Sequence, residues 1–135
     1  MGSSNHSEVR KFVGEALENL STRGVTWEVE DVVDATPTAP PRAGLPPGRH
    51  LLITIVRTDD RADRFQVHFT LSVDWLTASV ATANQLQDQI IDYLAGAPVP
   101  SCPGHSHPLK ASPETGRAMW ICPVDSSHYS MPVSK

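Results

Sequence analysis

The sequence contains few cysteines and no long apolar run. Only two of its 135 residues are cysteine, and apolar runs such as residues 51–56 are far shorter than the roughly 20 residues that cross a bilayer. Residues 1–8 are polar and lack the basic start and apolar stretch of a secretory signal. We therefore expect no membrane segment and a cytoplasmic location, where cysteines are more often thiols or metal ligands than disulfides.

Positive charge is also scarce. The chain has 11 Lys and Arg residues against 15 Asp and Glu residues, a net charge of −4, and residues 65–109 contain neither Lys nor Arg. Nucleic-acid binding depends on neutralising phosphates with basic side chains, so this composition disfavours nucleic acid and anionic membranes as partners. The excess of arginine over lysine, with many alanines and prolines, suggests a GC-rich bacterial source.

Apolar residues in the first 97 positions repeat with the periods of helices and strands. A period near 3.6 residues predicts helices over residues 8–22 and 74–95, and alternation predicts strands over residues 25–33, 51–57 and 65–71. The order α-β-β-β-α with an antiparallel sheet predicts an α+β fold, a two-layer sandwich in which both helices cover one face of the sheet.

Residues 34–49 interrupt this pattern with five prolines and two glycines. Proline lacks the backbone N–H that helices and central strands require, so we expect a long, exposed, proline-rich loop. The element order and acidic character of residues 8–95 resemble those of YbjN-type and secretion-chaperone folds. That resemblance implies a protein that binds other proteins and is not an enzyme.

Both cysteines and three of the six histidines fall within the last 38 residues. Residues 102–105 read Cys-Pro-Gly-His and residues 122–125 read Cys-Pro-Val-Asp. In such a turn, backbone amides point at the thiolate and a ligand three residues later reaches the same ion. The paired turns resemble those of a zinc ribbon, which implies a short hairpin with one metal-binding turn at each end and a structural zinc ion.

The residue types in this segment rank the candidate ligands. Thiolate and imidazole suit tetrahedral structural zinc better than carboxylate, so Cys102, Cys122 and His105 come first. The fourth ligand is His107 or His128, with Asp125 a weaker candidate. The alternatives are a segment without bound metal, or a disulfide between the two cysteines.

These observations divide the chain into an α+β domain over residues 1–97 and a zinc-binding module over residues 98–135. No His-Glu-x-x-His motif, nucleophile elbow or phosphate-binding loop is present, so we assign no catalytic residue. We expect a non-enzymatic protein-binding or regulatory module with structural zinc, which could act as a homodimer. The alternatives are a nucleic-acid-binding ribbon, using Lys110, Arg117 and Lys135, and a zinc-dependent hydrolase.

Overall fold

The computed structural model describes residues 2–22, 24–35, 49–125 and 127–135 of the chain. Over these residues the protein is a mixed α+β structure with two helices and two antiparallel three-stranded sheets. The predicted α+β class is confirmed. The predicted proline-rich loop over residues 34–49 lies, apart from its ends, outside the described residues.

The helices and strands of the described residues follow one another in a simple order. They are α1 (Gly2–Leu20), β1 (Trp27–Asp34), β2 (His50–Arg57), β3 (Arg64–Thr70), α2 (Trp75–Tyr93), β4 (Lys110–Glu114), β5 (Arg117–Ile121) and β6 (Ser130–Pro132). The first sheet has the order β1-β2-β3 and the second has the order β4-β5-β6. Neither of these two helices combines the length and the apolar character that crossing a bilayer requires.

Helix α1 begins earlier than the sequence pattern indicated. It starts at Gly2 and not at residue 8, because its first residues are polar and add no apolar period that a sequence pattern could reveal. Gly24, with φ of +78°, forms a turn between Thr22 and Val25, whose backbone groups exchange hydrogen bonds of 3.0 and 2.8 Å. The predicted apolar stripe of this helix is buried: Val9, Phe12, Val13, Ala16, Leu17 and Leu20.

Strand β1 contains an irregularity that alternation alone does not predict. Its register against β2 shifts between Val29 and Asp31, so one extra residue is inserted there. Trp27 before the shift and Val32 after it are both buried, whereas Val33 is 40% exposed. In a regular strand, side chains an odd number of residues apart point to opposite faces. The bulge therefore lets Trp27 and Val32 both point into the core.

Helix α2 contacts both sheets. It packs against β3 of the first sheet and against β4 and β5 of the second, while α1 packs against β1 and contacts α2. One cluster of buried side chains includes Leu17 and Ile53 from the first half of the chain and Leu109 and Trp120 from the second. The second sheet, which has few large apolar residues, thus packs into the same hydrophobic core as the helices and the first sheet.

Replacing Trp120 with alanine tests this shared core. The side chain is completely buried, so Trp120→Ala should lower the free energy of unfolding by about 3 to 5 kcal/mol, because a large cavity replaces the indole. Denaturant unfolding followed by circular dichroism measures the loss. The control Val124→Ala removes a side chain that is 75% exposed and should change stability by less than about 0.5 kcal/mol. Equal effects of the two substitutions would contradict the shared core.

The start of α2 generates a second prediction. Asp74 accepts a backbone hydrogen bond from Thr77 at 3.0 Å and a hydroxyl hydrogen bond from the same residue at 2.7 Å. These bonds, led by the one from the Thr77 backbone, hold the pKa of Asp74 below its ordinary value of 3.8. The stability that this cap contributes is therefore fully present at pH values above the ordinary pKa of 3.8. It is lost as the pH falls through the lower pKa that Asp74 has in the folded protein.

The melting temperature of Asp74→Ala should accordingly lie below that of the wild type at neutral pH, and the difference should shrink under acid. Thermal melts at a series of pH values measure this. Asp88→Ala, at an exposed position in the C-terminal half of the same helix, controls for the loss of a negative charge and should not reproduce the pH dependence. A difference that grows under acid would disprove the capping role.

Candidate metal site

The β4–β5 hairpin brings the two cysteines to the same place. Its strands are joined by Thr115 and Gly116, with φ of 50° and 79°, as in the tight two-residue turns that match the twist of a hairpin. Cys122 immediately follows β5, at the open end of the hairpin. Just before β4, the N–H of Leu109 donates to the carbonyl of Pro100 at 2.9 Å, which folds the preceding segment back beside Cys122.

Four side chains converge at this open end. Cys102, His105, His107 and Cys122 each offer one ligand atom, and all four atoms lie within 4.8 Å of one another. The Nδ1 atom of His105 lies 3.3 Å from the sulfur of Cys102 and 3.6 Å from the sulfur of Cys122. Both thiols are buried and free, whereas His105 is exposed and His107 is half-buried. The group is therefore close enough to hold a metal ion between a buried sulfur side and a surface imidazole side.

The first turn depends on a glycine. Gly104 has φ of +79°, and this left-handed backbone lets the N–H of His105 donate to the carbonyl of Cys102 at 3.1 Å. Residues with a Cβ atom rarely adopt this conformation. The Cys-Pro-Gly-His sequence thus places its first and last side chains on the same side of one tight turn.

The second turn directs backbone N–H groups at a sulfur. Burial disfavours the thiolate of Cys122, but backbone hydrogen bonds from Asp125 and Val124, together with a hydrogen bond from the Cys102 side chain, lower the pKa of this thiol. Burial raises the pKa of Cys102, and the neighbouring sulfur of Cys122 raises it further. The second turn therefore favours the thiolate form of Cys122, its first residue.

The two other candidate ligands have different partners. The carboxylate of Asp125 accepts hydrogen bonds from the N–H and the hydroxyl of Ser127, at 3.0 and 2.7 Å, and so forms part of the turn. The Nε2 atom of His128 lies 2.6 Å from the carbonyl oxygen of Pro103, and its ring centroid lies 4.5 Å from that of His105. His128 therefore connects the second turn to the first, and neither residue belongs to the group of four.

His107 is oriented as a ligand should be. Its Nδ1 atom lies 3.3 Å from the carbonyl oxygen of Pro108, so Nδ1 carries the proton and donates. Its Nε2 atom then presents a lone pair, is buried, and has no hydrogen-bond partner among the residues that the structure describes. A buried nitrogen left in this state is destabilising unless something satisfies it, and a metal ion would do so.

One residue near the site was not singled out by the sequence. Gln87 on α2 is completely buried and donates from its side-chain amide to the carbonyl oxygens of Val99 and Leu109. Periodicity cannot distinguish a buried amide that binds backbone groups from a polar residue at the edge of a stripe.

The chain matches no protein-family model, no curated protein and no solved structure in comparisons with each. The resemblances to zinc ribbons and to YbjN-type and secretion-chaperone folds therefore stay predictions.

The left-handed glycine of the first turn yields a test of the site. Gly104→Val should weaken Co²⁺ binding about fivefold or more, because a β-branched residue in this conformation costs about 1 to 3 kcal/mol. Titration followed by visible absorption measures the affinity. Gly24→Val, which meets the same strain at φ of +78° far along the chain from the ligands, should leave the affinity unchanged. Equal weakening in both variants would show that the turn has no special role.

Proposed function

We propose that the chain is a small bacterial zinc-binding protein in which Cys102, His105, His107 and Cys122 hold one structural Zn²⁺ ion. The protein is not an enzyme and acts as a protein-binding or regulatory module. The observation that carries the proposal is the convergence of these four ligand atoms within 4.8 Å. A location in the reducing cytoplasm would keep both thiols available for the ion.

The donor set favours zinc over harder cations. Two thiolates and two neutral imidazoles match the tetrahedral Cys₂His₂ coordination of structural zinc, whereas magnesium and calcium prefer oxygen ligands. The two negative thiolate charges and the double positive charge of the ion cancel, so the ion would compensate the charges on the buried sulfurs. The backbone N–H groups directed at Cys122 and the oriented imidazole of His107 supply the outer hydrogen bonds that such sites require.

The number of ligands supports a structural and not a catalytic ion. Catalytic zinc has three protein ligands and an open position for water, whereas a set of four closes the tetrahedron. The nearest carboxylate in sequence, that of Asp125, is engaged by Ser127. A general base beside the ion would therefore have to come from elsewhere, which disfavours the hydrolase alternative.

The finer architecture is part of the same proposal. The β4–β5 hairpin with a Cys-Pro turn at its open end supports a zinc-ribbon-like module over residues 98–135. The packing of α1 on β1 and of α2 on β3 supports a two-layer α-β-β-β-α sandwich over residues 1–97. The proposed likeness to a zinc ribbon and to YbjN-type and secretion-chaperone folds rests on this arrangement of helices, strands and turns alone.

An exposed apolar patch around one tryptophan supports a protein partner, which could be a second copy of the chain. Trp75 is 45% exposed and Val73 is 36% exposed, and both line a depression of about 350 Å³ that also contains Phe69 and Leu71. Tryptophans in such positions often dominate protein interfaces. In contrast, Arg117 is bonded to the carbonyl of Ser134 and Lys135 pairs with Glu18, which disfavours nucleic acid as the partner.

Metal analysis of the purified protein tests the proposed function. Protein prepared without added metal should contain one zinc ion per chain, and Cys102→Ser, Cys122→Ser and His107→Ala should lose it. His128→Ala and Asp125→Ala serve as matched controls from the same segment and should retain it. Removal of the zinc by a chelator should lower the melting temperature strongly, because a structural zinc ion contributes on the order of 10 kcal/mol.

Several results would contradict the proposal. Retention of zinc by His107→Ala together with its loss from His128→Ala would show that the ligand set is wrong. Protein without metal and lighter by two hydrogens would indicate a disulfide. Zinc-dependent turnover of any ester, peptide or phosphate substrate, abolished by the chelator, would favour the hydrolase. Salt-sensitive binding of oligonucleotides would favour the nucleic-acid alternative.

A further inference from the structure

The loop that carries three of the four metal ligands has a narrow neck. Cys102, His105 and His107 lie between two short segments, residues 99–101 and 108–109, that run beside each other. Ser101 and Pro108 form an isolated bridge, and the N–H of Leu109 donates to Pro100 at 2.9 Å. The distance between these two segments, which we call the neck, decides whether the three ligand side chains point toward the same position.

A single side chain from α2 spans the neck. The amide nitrogen of Gln87 donates one hydrogen to the carbonyl of Val99, at 3.0 Å, and the other to the carbonyl of Leu109. These acceptors stand on opposite sides of the neck, and all three residues are buried. Glutamine is well suited to this position because its NH₂ group has two donors on one atom.

We infer that Gln87 is a positioning residue for the metal ion, because its amide closes the neck of the ligand loop and anchors the loop to α2. This inference rests on the proposed zinc site. Without the amide, two buried carbonyls lose their partner and the neck can open. Binding of the ion must then also close and order the loop, which costs conformational entropy, so the metal affinity falls.

Gln85 offers a matched comparison on the same helix. Its side chain accepts from the N–H of His68 and donates to the carbonyl of His68, each at 2.9 Å. It therefore makes two bonds to backbone groups, as Gln87 does, but those groups belong to β3 and not to the ligand loop. Removing either side-chain amide should lower the stability of the fold, whereas only the loss of the Gln87 amide should lower the affinity for the metal ion.

The test compares Gln85→Met and Gln87→Met, which keep the length of each side chain and remove the amide. Co²⁺ alone is titrated into each full-length protein from which metal has been removed, at a temperature where circular dichroism shows both to be folded. Gln87→Met should bind Co²⁺ about tenfold or more weakly than the wild type, with altered visible absorption bands. Gln85→Met should stay within about twofold of the wild type with unchanged bands.

Each outcome leads to a different conclusion. If the wild type binds no Co²⁺ or Zn²⁺, both the proposed function and this inference fail. If it binds and the two methionine variants bind alike, only the positioning role of Gln87 is overturned. If Gln87→Met does not fold, Gln87→Asn takes its place, because its shorter amide cannot span both carbonyls. Wild-type affinity in Gln87→Asn would also overturn the role.

Discussion

Two cysteine sulfurs and two imidazole nitrogens lie within 4.8 Å of one another at the open end of one hairpin. If both cysteines were thiolates, two negative charges this close and largely buried would repel each other, and each would be penalised for leaving water. A divalent cation would remove both penalties and accept the lone pairs of the imidazoles. Residues 98–135 have few large apolar side chains, so a bound ion would do there what a larger core does elsewhere.

Helix α2 connects that constraint to the rest of the molecule. It packs against β3 and binds the backbone of that strand through Gln85, and it also packs against the second sheet and binds the ligand loop through Gln87. Trp120 from β5 joins the same buried cluster as side chains of α1 and β2. The candidate metal site and the hydrophobic core therefore both depend on α2, so disrupting either one should weaken the other.

The extent to which sequence predicts this structure differs from element to element. The helices and the strands of the first sheet follow from periodicity, and the approach of the two cysteines and His105 follows from the Cys-Pro spacing. The insertion in β1 at Glu30 and the three-residue strand β6 do not, because neither leaves a repeated pattern. Spacing alone also could not choose between His107 and His128. That choice depends on where each ring nitrogen points and which carbonyl it meets.

X-ray absorption at the zinc edge, on the zinc-loaded protein in solution, tests the central claim most directly. The account predicts a first shell of two sulfurs at about 2.3 Å and two nitrogens at about 2.0 to 2.1 Å, with imidazole features at longer range. A shell of four sulfurs would place the ion between two chains, each giving both cysteines. A shell without sulfur, or one with a water oxygen in place of an imidazole, would equally contradict the closed site in a single chain.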